Sequence, residues 1–391
     1  VLNRIYYGRV DVYRFFLFFT PRNPTTGSSL PPMNARPTLR PSLCALTALM
    51  VLGFGFNASA QSVATTPVGA MTYTFPANTT VSVGIPLVRP AVFTGVVSSG
   101  NTTSISFSTA GLNLATAIPV GSFYYIEVVG HSDNVTTTHV GDRFEVDETT
   151  TTVAANGVLS IDAASNLNTA TGDFSSLVGY KIVIRPHWTL AALFGTGNGA
   201  TGLTSSTTFS SADQVLSWDG AGWSTYWFRQ NSAGTVKEWR NTATSTTNQD
   251  NTLIPPGVGV YFKKLTSTLA VSVVGEVRTN RFIRNLDHST QLIAMGYPVD
   301  RSPSQMAMLP ASNYTAATSF DAADQLLAWD GAGFSTYWLR RNSAGDIIQW
   351  RNTGTGTTDH SSTGFILSNQ AFFIRPVGTP NDVVQTTPFT L

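Results

Sequence analysis

In Arg143-Phe144-Glu145-Val146-Asp147 the apolar Phe144 and Val146 alternate with charged neighbours, the period of a strand with one buried face. Residues 158–162 repeat the pattern after an Asn156-Gly157 turn, with Leu159 and Ile161 inward, so the two runs predict a hairpin. Lys181 to Arg185 adds a strand with Ile182 and Ile184 on one face. Short runs of this kind recur from residue 61 onward between turns rich in Gly and Asn. Helical periodicity is confined to Thr189–Phe194 and to short turns near Asp213 and Met306. The pattern predicts an all-β fold, with an N-terminal barrel or sandwich-like region followed by two tandem, duplicated, small sandwich or meander modules.

The duplication is read directly. The run from Phe209 to Arg229 returns from Phe320 to Arg340, both copies containing Trp-Asp-Gly-Ala-Gly and Ser-Thr-Tyr-Trp. The offset of 111 persists at Trp239-Arg240-Asn241 against Trp350-Arg351-Asn352, and extends to Tyr261-Phe262 against Phe372-Phe373. Upstream, Leu190 to Phe194 is only loosely echoed near Leu292 to Met295. These matches place modules at 187–281 and 282–391, behind a β region at 61–186. Two copies are too few for a solenoid, so each module should close its own core. Within the first, turns at Asp219–Gly222 and Asn231–Gly234 predict a three-stranded meander over residues 215–240. Strands at 258–263 and 269–274 are expected to complete a five-stranded sheet or small sandwich.

Composition adds a compartment. Charged residues make up 12% of the 391, 23 basic against 22 acidic, which argues against nucleic acid held through its phosphates and against an anionic membrane surface. From Met33, the basic Arg36 and Arg40 precede an apolar run, Leu43 to Phe56, and then Ala58-Ser59-Ala60 before Gln61: the three parts of a secretory signal peptide at 33–60. Residues 1–32 resemble neither half of such a signal and are expected to be an untranslated upstream extension. Cleavage removes six Arg and Asp11, leaving 17 bases against 21 acids in a mildly acidic mature chain. It also removes Cys44, the sole cysteine, so no disulfide, thiolate chemistry or Cys-bound metal is expected. Nor is a membrane-spanning segment expected after cleavage.

The stretches Val81 to Val97, Gly141 to Asp147 and Ile184-Arg-Pro-His-Trp-Thr-Leu190 resemble an uncharacterised, paralogous family of secreted bacterial β-rich proteins. That resemblance implies export and bacterial origin, and no reaction.

Candidate chemistry centres on aromatic residues. Trp223, Thr225, Trp227 and Arg229 share one face of their strand while Tyr226 and Phe228 share the other; the second copy has Phe334, Trp338 and Arg340 against Tyr337 and Leu339. A sandwich core uses one face, so the other is covered by a second layer or exposed. Flat rings beside Arg or Asp suit sugars, since the ring stacks on the apolar face and the charged group bonds hydroxyls. Trp223, Trp227, Arg229, Phe334, Trp338 and Arg340 are therefore candidate glycan-binding residues, with core packing as the alternative. Asp219 and Asp330 read as turn formers. His131, Asp133, His139 and Asp142 read as a hairpin tip, because two His eight residues apart match no ligand spacing. Gly197 to Gly202 matches a dinucleotide fingerprint only formally, because loop or strand follows it and no helix. With no catalytic motif and no cofactor signature, the expected function is non-catalytic: a secreted extracellular or cell-envelope protein with a structural or adhesive role. The alternative is a glycan-binding protein whose partners are polysaccharide or envelope components.

Overall fold

The computed structural model describes residues 66–108, 114–119, 123–147, 157–162, 173–286, 290–378 and 382–389. Residues 1–65, with the expected leader and Cys44, lie outside the described residues, as does His288. The protein is all-β. Along Val68–Phe75 (β1) alternate residues turn inward until Tyr73 and Phe75 are buried. Asn78, at φ 56°, turns the chain into Thr79–Val83 (β2).

From β2 the chain runs into a closed barrel of six strands: Phe93–Gly100 (β3), Ser104–Phe107 (β4), Tyr124–His131 (β5), Arg143–Val146 (β6), Val158–Asp162 (β7) and Tyr180–Pro186 (β8), in the order β3-β4-β7-β6-β5-β8. The expected hairpin is present, Val146 facing Ile161 across β6 and β7. Six strands enclose room for side chains only, here Val97, Ile105, Ile126, Phe144, Leu159 and Ile182. A short helix, Leu114–Ala117 (α1), and a 3-10 turn at Phe174–Leu177 add Leu114, Phe174 and Leu177 to that core.

The chain then returns to the β1–β2 region. After Trp188–Thr189 (β9), the predicted helical segment is a five-residue helix, Leu190–Phe194 (α2), whose first turn is capped by the Thr189 hydroxyl accepting from Ala192 N. Gln214–Trp218 (β10), Trp223–Gln230 (β11), Lys237–Asn241 (β12), Leu253–Ile254 (β13), Val260–Lys264 (β14) and Leu269–Glu276 (β15) complete the first module. Its main sheet has the order β12-β11-β10-β14-β2, and β1 pairs with β15 in a separate ribbon. The second module contains Phe282–Arg284 (β16), Gln291–Ala294 (β17), Gln325–Trp329 (β18), Phe334–Arg341 (β19), Ile348–Asn352 (β20), Ala371–Arg375 (β21) and Val383–Gln385 (β22). Its sheet runs β20-β19-β18-β21-β17, with β16 paired to β22.

The two modules therefore share one topology, first strand on last and second strand beside the fourth main-sheet strand, but the first is interrupted. Val83 and Ile293 occupy equivalent inward positions 210 residues apart, whereas Gln214 and Gln325 are 111 apart. The difference of 99 residues is the barrel, inserted between the second and third strands of module one. Residues 68–83 belong to that module by hydrogen bonding, although in sequence they precede the barrel.

Three details of the sequence reading are corrected. The fifth sheet strand is β2 and not Leu269–Val274, because the backbone groups of β15 are taken by β1. Leu292 corresponds to Ser82 in β2, so the Leu190–Phe194 echo has no structural counterpart. Gln214 faces Lys263 as Gln325 faces Arg375, so Tyr261 corresponds to Phe373 and the offset there is 112. A slip of one residue exchanges the faces of a strand. Phe262 and Ile374 accordingly enter the two module cores, while Tyr261 and Phe373 point away from them.

Barrel and modules are joined by buried charge. Glu127 of β5 takes Arg278 Nε at 2.5 Å and Arg185 Nε at 3.6 Å; Arg185 also pairs with Glu276, and Asn280 Nδ2 donates to Glu127. Arg143, fully buried, donates to the Ile283 carbonyl and lies 4.4 Å over the Phe282 ring. Burial works to raise the Glu127 carboxyl, but the guanidinium groups of Arg278, Arg185 and Arg143 outweigh it and hold the group below the usual carboxylate range. A second buried pair, Lys264 and Asp213 at 2.7 Å, lies inside module one.

Candidate functional site

The faces of the two main sheets that look away from the module cores meet in a seam. In each hairpin the strand-end aromatic faces its partner across the turn, Trp218 with Trp223 and Trp329 with Phe334. Tyr261 and Phe373 stand beside them on β14 and β21. Phe373 is the hub: the rings of Trp218, Trp223 and Phe334 lie 5.8, 5.9 and 5.8 Å from it, each nearly edge-on, with Tyr261 at 6.4 Å. A pseudo-two-fold relates the halves, because Trp218 Nε1 donates to the Thr290 carbonyl and Trp329 Nε1 to that of Thr80. Tyr261 and Phe373 are buried, yet Trp223 remains 44% and Phe334 45% exposed. One surface of the seam thus carries two partly exposed aromatic rings on either side of a shared buried one.

The adjoining Asp-Gly-Ala-Gly turns hold these rings in place. Asp219 Oδ1 accepts from Ala221 N and Gly222 N, and Asp330 Oδ1 from Ala332 N and Gly333 N. These bonds hold both carboxyls below the usual range. Gly220 and Gly331 sit at φ near +100°, where a side chain would be strained.

The other candidates lie further along the same faces, away from the seam. Lys263, Gln214, Trp227 and Arg240 form one row across four strands; Arg375, Gln325, Trp338 and Arg351 form its counterpart. Phe209 packs on Trp227 and Phe320 on Trp338, at 6.5 and 6.2 Å. Trp227 is buried there, 6% exposed, whereas Trp338 is half-buried. Arg229 and Arg340 follow on the next row, opposite Glu238 and Gln349. The six sequence candidates therefore divide between one shared seam, with Trp223 and Phe334, and two separate sheet faces beyond it, with Trp227 and Arg229 on module one and Trp338 and Arg340 on module two.

Sequence reasoning passed over Tyr261, Phe373, Arg351 and Arg375. The signal available was the apolar alternation on both faces of β10 and β14, which a single core does not require.

Elsewhere, His131 and His139 each contact their own carboxylate, Asp133 at 2.8 Å and Asp142 at 2.9 Å, and both rings stand edge-on to Tyr180. Among the described residues no group of three or more His, Cys, Asp or Glu is placed to hold a metal ion, and no helix is long and apolar enough to cross a membrane. Gly197–Gly199 is a single 3-10 turn.

No protein-family model, curated protein or solved structure matches the chain.

Proposed function

We propose that the chain is a secreted, non-catalytic protein of the cell envelope or extracellular space with a structural or adhesive role. The observation that carries this reading is the seam: two duplicated sheets hold Trp223 and Phe334 partly exposed on a scaffold of turns and strands, and aromatic groups displayed this way contribute most to adhesion per residue. The sequence features that support export are the basic, apolar and small-residue segments between Met33 and Gln61.

A second reading, glycan binding, is favoured by one specific observation. Half-buried Trp338 lies in a row with Arg375, Gln325 and Arg351, and Arg340 follows it on the same face, the combination of a ring and hydrogen-bond donors that sugars require.

The test is retention of the mature protein on insoluble cellulose, chitin, xylan, peptidoglycan and intact envelope preparations. Under the adhesive reading, the double variant Trp223→Ala, Phe334→Ala loses at least about tenfold in retention, since truncating a hot-spot aromatic removes roughly 2 kcal/mol or more, while its melting temperature stays close to that of the parent. Wild-type protein that passes through every matrix would overturn both readings.

A further inference from the structure

The two rows carry the same charge but their flanking residues do not: Glu238 is replaced by Gln349, and Asn248, bridged to Arg240, by Asp359, bridged to Arg351. In module one Glu238 accepts from Arg240 Nε at 3.0 Å and Nη2 at 2.5 Å, and lies 3.8 Å from Arg229. Asn248 holds its second oxygen at 2.8 Å. The position equivalent to Glu238 is Gln349. Arg351 retains the remaining contacts of Arg240, with Nη1 on the Gly356 carbonyl where Arg240 uses that of Ser245, and Nη2 on Gln349 Oε1. Its Nε, which in module one is satisfied by the carboxylate, is buried without a partner. Among the described residues no carboxylate lies within 4.0 Å of Arg340, Arg351 or Arg375. Arg375 stands where module one has Lys263, and its Nη1 reaches only Gln325, at 3.4 Å. The same face carries Trp338, half-buried here, where its counterpart Trp227 is covered.

We infer that the Trp338 face of the second module is a binding site for acidic glycans, polysaccharides bearing carboxylate or sulfate groups, and that the Glu238 carboxylate closes the equivalent site in the first. This rests on the glycan reading above and adds the ligand's charge and the module that binds it. Three guanidinium groups, none with a carboxylate within 4.0 Å among the described residues, favour an anion, because guanidinium donors match carboxylate and sulfate oxygens in pairs and their bonds to charged acceptors are the stronger kind. Trp338 supplies the flat apolar surface on which a pyranose ring stacks. A ligand with charge and no ring uses the arginines alone, which is why an acidic glycan fits better than an acidic peptide.

The experiment measures the affinity of the mature protein for soluble polygalacturonate, a sulfated polysaccharide and a neutral xylan, with poly-glutamate and duplex DNA as equally charged controls. Two exchanges, Gln349→Glu and Glu238→Gln, write each module's arrangement into the other, and melting curves verify that both variants fold. The expected results are preference for the acidic glycans over xylan and over both controls, and weaker binding at high salt. Gln349→Glu is expected to lower the affinity by about tenfold or more, in line with bonds made to charged groups. Glu238→Gln is expected to raise it. Equal binding to poly-glutamate or DNA overturns the inference, since the site then reads charge without sugar. Retention on neutral glycans alone, unchanged by Gln349→Glu, overturns it while leaving the glycan reading standing; absence of binding to any glycan removes both.

Discussion

Replacing Glu127 by Gln is expected to destabilise the protein by about 3–5 kcal/mol, the cost of breaking a buried ion pair from one side. The carboxylate is 1% exposed and is shared by Arg278 and Arg185, with Arg143 fully buried close by, and Gln leaves these guanidinium groups without their central anion. Shape is nearly unchanged, so the loss reports charge and not packing. The damage should be local at first. Arg278, Asn280 and Arg281 belong to the link between the modules and reach barrel atoms on Glu127, Val140 and Thr138, so the barrel is expected to loosen from the second module, and cleavage by protease within 277–281 to accelerate. Urea unfolding with limited proteolysis checks both points; a midpoint indistinguishable from the parent's would show that the network contributes nothing net. Acid acts in the same direction. Because Glu127 is held below the ordinary carboxylate value of about 4.3, its contribution is fully present above that value and is lost as the pH falls below it through the depressed folded-state value.

The second large effect is expected inside module one. Lys264→Met leaves the Asp213 carboxylate, 0% exposed, without the Lys264 cation, and a loss of about 3–5 kcal/mol follows from the same asymmetry. The duplication provides an internal control. Asp324, the counterpart of Asp213, faces no lysine: its oxygens accept from Thr315 N and Val377 N, and burial pushes its carboxyl up against those bonds. Asp324→Asn should therefore cost only about 1 kcal/mol, one hydrogen bond, at acid pH. The sign with pH is opposite to that of Glu127. A raised carboxyl favours the folded state below its unfolded value and loses that advantage as the pH rises through the folded one, so the Asn variant gains on the parent between acid and neutral pH. Thermal melting of both variants from pH 3 to pH 7 tests this contrast; a Lys264→Met change as mild as that of Asp324→Asn would refute it.

Much of this was legible along the chain. Period-2 alternation marked the barrel hairpin at Arg143 and Val158, and repeated phrases marked β10, β11 and β12 together with their second copies, because both signals are local and survive duplication. The candidate aromatics were found for the same reason. Their separation into seam and rows was not, since Trp223 and Trp227 look alike in sequence and differ only in what packs on them.

The sequence alone determined the all-β class and the duplication, the first from an alternation of period two within short runs and the second from whole phrases repeated at a nearly constant offset. The tertiary structure alone decided three things. The barrel interrupts module one, because only hydrogen bonding across 99 inserted residues reveals β2 as the partner of β14. Tyr261 corresponds to Phe373 and not to Phe372, because register is fixed by the neighbouring strand. Arg351 keeps a free Nε while Arg240 does not, because the exchange of Glu238 for Gln349 acquires meaning only once the opposing residues on adjacent strands are known. Contacts between residues far apart in the chain carry no period, so nothing short of the folded sheets shows them.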